Sequence, residues 1–489
     1  MARYLLGNPD GDDVVLVAAS GDVFTRPQLR AAVAALAESL SQDGLTKARV
    51  GIDLSPSFGA VAAYLALLLN GNTVVVARRI DQPPWPIYLA SAALDGIIRP
   101  KGLRLEGEAF GSEVGYDVPV EGTAEQLPEL APTDPDAPAI NLFTSGTTGR
   151  PKIVQISHRA WIESTEAILD VLPLGPDTRT TLILSLAHSF GLSVLHTHLR
   201  AGGSLYCVER PEFPGDVLRS LTAGGCNALA GVPTQLRAVT TALRRDPDLA
   251  ATVAVDVVMQ AGGRMEVAEA TDLLEVLAAD CRLFQMFGQT EAAARISILD
   301  AADRARVPAS VGKPLRGLTV RILDDAGHEL EPGVEGEVVV SGTTLMSGYF
   351  DDPDATAEVL RDGWLHTGDY GYLDPEGFLY VTGRRSNFVK IDGERISLEA
   401  IEYAAISGSP EVADALVSPL PTDDGGLAVK LSLLLAEPLD EDELGDLHKR
   451  LRVQLRRGLG PKAVPTEIDT VTEIAYTPNA KKIRARVIY

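Results

Sequence analysis

The spacing of apolar residues alternates between a helical and a strand-like period along the first part of the chain. After Thr25-Arg26-Pro27, the segment QLRAAVAALAESL places apolar residues at helical spacing behind a polar cap and an early proline. The apolar runs RVGIDL and NTVVVA predict short buried strands on either side of a helix at 58–69. Such alternation predicts a mostly parallel sheet that is covered by helices on both faces.

The alternation resumes after a Pro- and Asp-rich segment, 125–138, which is typical of a surface connector. Further strands are predicted from the runs INLF, TLILSL, GSLYCV, NALAGV, VDVVMQ and RLFQMF. From about Ser310 the pattern changes to short alternating strands with Gly/Asp turns, in LTVRILDDAGHEL, GEVVVSG and GFLYVTG, which predict hairpins of a small barrel or sandwich. The segment after Gly383 is long enough for one small α+β domain.

Composition and charge narrow the class of protein. The 489 residues are 45% hydrophobic and 23% charged, so the chain can bury its cores without disulfides or a structural metal. Forty-four basic against 67 acidic residues give a net charge of −23, which disfavours a nucleic-acid binder. The three cysteines show no ligand spacing and favour a reducing cytoplasm, and the longest apolar run, 60–69, is too short to span a membrane.

The segment TSGTTGRPK, from Thr144 to Lys152, carries the most specific chemistry. Its hydroxyls, two glycines and lysine allow backbone N–H groups, side-chain O–H groups and an ammonium to surround phosphate oxygens. Its spacing excludes a Walker A loop, which needs a Lys-Ser/Thr pair directly after the last glycine.

This segment resembles the phosphate-binding loop of the adenylate-forming superfamily, which contains acyl-CoA synthetases, adenylation domains and beetle luciferases. Further motifs of that superfamily follow in the same order: HSFGL at 188–192, GGR at 262–264, FGQTE at 287–291, GY at 348–349, GWLHTGD at 363–369, GR at 383–384, KIDGERI at 390–396 and TPNAK at 477–481. The resemblance implies an α/β fold with a large N-terminal domain, 1–384, made of two doubly wound sheet subdomains plus a small β-barrel at about 300–384. A small mobile α+β C-terminal domain, 385–489, would carry the catalytic lysine.

The resemblance also assigns the ATP site. The phosphates and the adenosine would be bound by Thr144, Ser145, Gly146, Thr147, Thr148, Gly149, Lys152, Gly263, Phe287, Gly288, Asp369 and Arg384. Glu291 would hold Mg²⁺ through a carboxylate oxygen and Thr290 would contact the α-phosphate. Lys481 would stabilise the charge that develops as a carboxylate attacks the α-phosphorus. Because Ala480 replaces the usual glycine, the neighbouring Lys482 stays open as the alternative.

The acid would be bound by His188, Phe190, Gly191, Gly262, Arg264 and Met286. His188 is also counted among the catalytic residues, but its expected role is to form the wall of the pocket, not to act as an acid or base. Gly191 stands where amino-acid-activating relatives place an aspartate, so we expect an acid without an α-amino group. Arg264 either points to solvent or pairs with a second polar group on the acid. Glu266 could supply the carboxylate that is missing at Gly191.

The second half-reaction would use residues of the C-terminal segment. Lys390, Gly393 and Arg395 would meet the pantetheine thiol arm, and Ser386 would occupy the hinge where the family usually has Asp or Lys.

The resulting hypothesis is an AMP-forming acyl-CoA synthetase that uses ATP, Mg²⁺ and coenzyme A on a small carboxylic acid. The nearest alternative is an adenylation enzyme that loads the phosphopantetheine of a carrier protein. A non-catalytic nucleotide-binding relative and a luciferase-type oxidase are alternatives of other classes. Neither a nucleic-acid partner nor a membrane span is expected.

Overall fold

The computed structural model describes residues 1–7, 13–80, 85–99, 112–115, 127, 134–144, 152–384, 387–391, 394–422 and 427–475. The chain divides into two compact units. Unit 1 contains 1–334, 339–367 and 373–380, and unit 2 contains 335–338, 368–372 and 381–489. The predicted connector at 125–138 and the predicted phosphate loop at 145–151 fall largely or wholly outside the described residues.

Strands and helices alternate through most of unit 1. The strands of the described chain are β1 Val14–Val17, β2 Val23–Thr25, β3 Arg49–Asp53, β4 Thr73–Ala77, β5 Gly96–Arg99, β6 Ser112–Gly115, β7 Pro138–Thr144, β8 Lys152–Ser157, β9 Arg179–Leu182, β10 Ser204–Cys207, β11 Ala228–Gly231, β12 Val257–Gln260, β13 Arg282–Phe287, β14 Ser297–Leu299, β15 Lys313–Pro314, β16 Leu318–Leu323, β17 Gly336–Gly342, β18 Gly348–Tyr349, β19 Leu360–Arg361, β20 Trp364–Leu373, β21 Leu379–Arg384, β22 Phe388–Ile391, β23 Glu394–Ser397, β24 Val412–Pro421, β25 Leu427–Leu435 and β26 Glu467–Val471. The helices are α1 Ala2–Leu6, α2 Arg26–Gln42, α3 Phe58–Leu69, α4 Trp85–Ala90, α5 His158–Leu169, α6 Ser189–Ala201, α7 Pro214–Leu221, α8 Pro233–Arg245, α9 Pro247–Ala250, α10 Val267–Val276, α11 Pro353–Val359, α12 Leu398–Ser407 and α13 Glu441–Leu459.

Helices α2 and α3 show why the predicted elements form. Thr25 precedes α2, and its backbone N–H donates to Gln28 Oε1 at 2.8 Å, which caps the helix while Pro27 occupies the first turn. Helix α3 is almost entirely apolar and buried, because it lies between the parallel strands β3 and β4 and other helices. Both elements lie where the sequence predicted them.

The first sheet of unit 1 places several motifs at one edge. Its order within the described residues is β15-β14-β13-β12-β11-β9-β10-β1-β2. The central strands β13, β12, β11, β9, β10 and β1 are parallel. Strands β9, β12 and β13 therefore end at the same edge of the sheet, and the predicted site segments 188–191, 262–264 and 287–291 follow those three ends.

A second sheet, in the order β18-β8-β7-β4-β3-β5-β6, holds the ends of the predicted phosphate loop. Strands β7 and β8 are antiparallel, with Thr144 opposite Lys152. Strand β18 continues the sheet, so Tyr349 lies opposite Val154 on β8. The hydrogen-bonded pairing thus fixes the two residues that flank the loop at 145–151.

The predicted short-strand region forms a third sheet in the order β16-β17-β20-β19, with β21 on β20. Strands β17, β20 and β21 have residues in both units. In unit 2, β24, β25 and β26 form a sheet whose apolar face packs with α12 and α13 around Ile401, Leu431 and Leu451. Strands β22 and β23 form a separate hairpin.

The N-terminal strand is part of a sheet made mainly from much later residues. Leu16 on β1 pairs with Leu205 on β10. The buried guanidinium of Arg26 also links the N-terminal segment to the residues before β10. Its Nη1 donates to the Leu199 carbonyl at 2.9 Å and its Nη2 to the Gly203 carbonyl at 3.4 Å. Among the helices of the described residues, none is long and apolar enough to cross a membrane.

Candidate functional site

The FGQTE motif forms a tight turn at the end of β13. The position of a Cβ on Gly288 would lie 2.0 Å from the carbonyl oxygen of Ala294, so only glycine allows the two backbone segments to approach this closely. The Ile296 N–H donates to the Phe287 carbonyl at 2.8 Å and starts the antiparallel pairing with β14. The turn therefore holds residues 288–295 in one defined conformation, with Thr290–Ala292 as a 3-10 helix.

Residues from four separate motifs meet around Glu291, and we call Lys152, Ser189, Thr290, Glu291 and Tyr349 the Glu291 cluster. Tyr349 Oη donates to Glu291 Oε1 at 2.9 Å, and Lys152 Nζ lies 4.6 Å from the centre of the Tyr349 ring. Ser189 Oγ and Thr290 Oγ1 are 3.2 Å apart. Residues that are widely separated along the chain are thus brought together.

The Glu291 carboxylate suits a hard divalent cation. Tyr349 occupies one of its oxygens, while Oε2 has no hydrogen-bond partner among the described residues. No group of three or more His, Cys, Asp or Glu side chains in the described chain could form a metal cage. A single carboxylate that shares its ion with substrate phosphates is the usual arrangement for Mg²⁺, so the residues present fit the predicted ion.

The first turn of α6 carries the HSFGL motif. His188 is half-buried and directly precedes the helix, followed by Ser189 and Phe190 on its first turn. A Cβ on Gly191 would lie 2.3 Å from the Ser185 carbonyl oxygen. The glycine therefore lets the helix begin close against the 184–185 backbone.

Gly262 lies beside Phe190 in the structure. Its φ of +82° is in the left-handed region, and a Cβ there would lie 2.9 Å from Val232 Cγ1 and 4.0 Å from Phe190 Cδ1. The neighbouring Gly263 is fixed through its carbonyl, which accepts from Gln260 Nε2 at 2.8 Å. Gly262 of the GGR segment thus lies beside Phe190 in the first turn of α6, and the roles of the segment in the acid and adenine sites stay predictions.

The Arg264 guanidinium forms an ion pair with a neighbouring carboxylate. Its Nε lies 2.7 Å from Glu266 Oε1, and the arginine side chain is 63% exposed. The sequence left open whether Arg264 points to solvent or pairs with a polar group on the acid. In the structure Arg264 is exposed, and its ionic partner is the nearby Glu266.

A residue that no motif indicated, Arg295, lies between two residues predicted to bind the acid. Its Nε lies 3.2 Å from Met286 Sδ, its guanidinium carbon lies 4.2 Å from the centre of the Phe190 ring, and Nη1 donates to the Ala294 carbonyl at 3.3 Å. Arg295 is 2% exposed, and burial lowers the pKa of its guanidinium to about 9, which leaves it charged at neutral pH. We call Phe190, Met286 and Arg295 the Arg295 cluster.

The sequence did contain a signal for Arg295. The run AAARISIL places a single cation between small and apolar residues that continue a buried strand, where a charge is rarely found without a partner.

In unit 2, the predicted ribose-binding residues contact each other. Arg384 Nε lies 2.8 Å from Asp369 Oδ1, and the Asp369 side chain is only 8% exposed. The guanidinium thus holds the carboxylate in place, and the contact of both residues with the ribose hydroxyls stays a prediction.

The remaining predicted residues are only partly described. Lys390 and Arg395 lie opposite each other on the hairpin of β22 and β23. Ser386 and Gly393 lie outside the described residues, as do Ser145, Gly146, Thr147, Thr148, Gly149 and both lysines at 481–482. Their roles stay predictions.

The chain is similar to several curated ligases. The feruloyl-CoA synthase of an Amycolatopsis species is 27% identical over 475 residues, which cover 96% of this chain and 94% of that protein. A fatty acid–acyl-carrier-protein ligase of Streptomyces coeruleorubidus is 29% identical over 72% of this chain and 67% of its own length.

Solved structures have the same fold. The O-succinylbenzoate coenzyme A synthetase of Bacillus subtilis in complex with AMP superimposes with a TM-score of 0.83 at 26% identity, over 98% of this chain and 96% of that one. The same enzyme has also been solved with ATP and a magnesium ion. The family model for AMP-binding enzymes matches residues 89–350. The α/β fold class predicted from the motifs is therefore confirmed, and the chain belongs to the family of AMP-binding enzymes.

Proposed function

We propose that the protein activates a carboxylic acid without an α-amino group and transfers it to coenzyme A. In the first half-reaction the carboxylate oxygen attacks the α-phosphorus of ATP, which forms acyl-AMP and releases pyrophosphate. In the second, a thiolate attacks the acyl carbon, which forms the thioester and releases AMP. Both half-reactions balance without an oxidant or reductant.

The assembly of the Glu291 cluster carries this proposal. A lysine, a carboxylate and three hydroxyls converge from β8, β18, the 288–295 turn and α6. This set offers positive charge for phosphate oxygens, a hard ligand for Mg²⁺ and donors for the α-phosphate. Since these groups are already held by one another, they would stabilise the transition state with little reorganisation.

Each residue of the cluster has a distinct task in the first half-reaction. Lys152 neutralises phosphate charge, and Glu291 holds Mg²⁺, which when bound would screen the phosphate oxygens from the incoming carboxylate. Thr290 donates to the α-phosphate. Lys481 is the proposed cation at the forming bond.

The Arg295 cluster supports the absence of an α-amino group in the substrate. No aspartate accompanies Phe190 and Gly191, so a substrate ammonium would lose water without gaining a partner there. Arg295 beside Phe190 adds a positive charge, which repels an ammonium.

Coenzyme A is the proposed thiol, and the carrier-protein phosphopantetheine is the second candidate. The first is favoured by the segment GWLHTGDYGYLDPEGFLYVTGR, which resembles acyl-CoA synthetases. The second is favoured by the likeness to a carrier-protein ligase. The two acceptors share the pantetheine arm, which the hairpin of β22 and β23 would meet in either case.

The experiment is a panel of carboxylic acids assayed for ATP-dependent release of AMP and pyrophosphate, with coenzyme A, with a phosphopantetheinylated carrier protein and with neither. We expect acid-dependent pyrophosphate exchange in all three conditions and a thioester only with a thiol present. Turnover of an α-amino acid as fast as the best simple acid would contradict the proposed substrate class, and faster transfer to the carrier would favour the second candidate.

Two lysine variants test the catalytic assignment in the same assay. Lys481→Ala should lower acyl-AMP formation about a hundredfold while thiolysis of supplied acyl-AMP is much less affected, because the second step has no pentacoordinate phosphorus. Lys482→Ala is the matched control. If only Lys482→Ala shows this loss, the roles of the two lysines are reversed.

A further inference from the structure

Arg295 differs from the other deeply buried arginines of the described chain in the kind of partner it has. Arg26 and Arg30 donate to backbone carbonyls, and Arg304 donates to Gln285 Oε1 at 2.7 Å. Arg295 meets a thioether, an aromatic face and one carbonyl at 3.3 Å. A guanidinium has five N–H donors, so three of them have no partner among the described residues.

No carboxylate of the described residues forms an ion pair with Arg295, although the residue is 2% exposed. Thioether sulfur is a weak acceptor, and a ring face attracts a cation without using its N–H groups. Burial of a charge with such weak compensation is strongly unfavourable. A buried polar group without full hydrogen bonding calls for an explanation, and an anion that completes its hydrogen bonds is one.

The backbone fixes Arg295 in this position. Ala293 and Ala294, which precede it, have φ values of +45° and +84°, a conformation that alanine rarely adopts. Ser164 Oγ donates to the Ala293 carbonyl at 2.6 Å and holds this strained turn against α5. Strain of this kind is typical of functional segments.

The same turn carries Thr290 and Glu291 at its beginning and Arg295 at its end. An acid whose reacting carboxylate lies near Thr290 would therefore extend from one end of the turn past Phe190 and Met286 towards the other. A group at its far end would meet the guanidinium.

We infer that Arg295 binds a second anionic group at the far end of the acid, a carboxylate or a sulfonate, so that the substrate is a dianionic acid. This inference rests on the proposed function. The planar fork of the guanidinium matches two oxygens of either group in a bidentate contact. An acid without this group leaves the buried cation unpaired and is selected against.

The experiment compares pairs of acids that differ only at the far end. A series of α,ω-dicarboxylic acids and ω-sulfonated acids is assayed beside methyl-terminated monocarboxylic acids of the same length, by kcat/KM for pyrophosphate release. For the wild type we expect the best dianionic acid to exceed its monoanionic partner about a hundredfold or more. The carboxylate and sulfonate series distinguish the two sources of the anion.

Three variants show whether Arg295 causes the preference. Arg295→Gln should abolish the ratio by lowering kcat/KM for the dianionic acids, and Arg295→Lys should keep part of it. Arg304→Gln, a matched change at another buried arginine, should leave the ratio unchanged. A purely structural Arg295 would instead lower the rates for all acids equally.

Failure of the inference about Arg295 can be distinguished from failure of the proposed function. A wild type that prefers monoanionic acids, or an Arg295→Gln variant that keeps the ratio, overturns the inference and leaves the proposed function intact. Absence of turnover with every acid overturns the proposed function, and calorimetric binding of dianionic acids to the wild type and to Arg295→Lys then decides the inference. If Arg295→Gln does not fold, the wild-type ratio and its reduction in Arg295→Lys decide it, and an unchanged ratio overturns it.

Discussion

The Glu291 cluster and the Arg295 cluster share one turn of the chain but differ in how their polar groups are satisfied. In the first, a tyrosine hydroxyl holds the carboxylate, a ring face meets the lysine and two hydroxyls pair with each other. In the second, a buried guanidinium meets a thioether, a ring and one carbonyl. The nucleotide side is thus prepared before any ligand arrives, whereas the acid side, on our inference, is completed by its substrate.

Variants of the two clusters should therefore differ in how they affect the rates for different acids. A change in the Glu291 cluster should lower the rate for all acids by the same factor, because every acid uses the same nucleotide. A change in the Arg295 cluster should alter the ratio between acids.

The largest expected effect is that of Glu291→Gln. Loss of the anionic oxygen that would hold Mg²⁺ should reduce pyrophosphate exchange about a hundredfold or more, equally for every acid. Glu329→Gln, at a side chain that is 57% exposed, is the control and should not change the rate. A loss that varies strongly among acids would mean that Glu291 also contacts the acid.

Acid pH should weaken α6, the helix that contributes Ser189 to one cluster and Phe190 to the other. His196 on this helix is fully buried with Nε2 2.9 Å from Tyr64 Oη, and burial lowers its pKa from 6.5 to about 3. The unfolded chain binds this proton below about pH 6.5 and the folded chain does not until about pH 3. Folding stability is therefore lost as pH falls through this window, by on the order of 3 kcal/mol at pH 4 for this residue.

His196→Gln should reduce but not abolish the pH dependence of the free energy of unfolding between pH 6.5 and 4, as measured by urea denaturation, because burial also lowers the pKa values of His158 and His198 to about 4. His328→Gln is the control, because that side chain is 79% exposed. Parallel pH curves for wild type and His196→Gln would show that the acid sensitivity arises elsewhere.

A smaller loss is expected for Tyr349→Phe. The variant keeps the ring beside Lys152 and removes the hydrogen bond to Glu291, which is worth about 1.5 kcal/mol or roughly tenfold in rate. The reduction should again be the same for all acids. An unchanged rate would show that Glu291 is oriented by other groups.

The smallest effect is expected for Arg264→Ala. Its charge is already paired with Glu266 and largely exposed, so removal should change kcat/KM less than about twofold and leave the ratio between acids unchanged. A changed ratio would place Arg264, and not Arg295, next to the acid.

Much of the fold could be predicted from sequence because it depends on local patterns. The apolar run at 257–260 is a buried parallel strand, and Thr25 with Gln28 caps α2 as expected. The family, the fold class and the class of AMP-binding ligase predicted from the ordered motifs are confirmed. The boundary at Arg384 stays a prediction.

The site was less predictable because burial and pairing depend on tertiary structure. Arg264 lies in a motif and was assigned to the acid, yet its partner is two residues away. Arg295 lies in no motif, and its environment is formed by Phe190, which is distant along the chain, and by Met286, which lies on strand β13. Gly191 has a packing role that only the position of Ser185 reveals.

The pairing of β1 with β10 has a consequence for synthesis of the chain. Leu16 leaves the ribosome 189 residues before its partner Leu205, a delay of roughly 10 to 40 s at about 5–20 residues per second. During this interval the strand VVLV and the Arg26 guanidinium lack the neighbours that cover them in the native sheet. We expect stalled nascent chains to protect the N-terminal segment from protease only when residues beyond β10 have emerged, so this edge of the sheet forms late although it is made first.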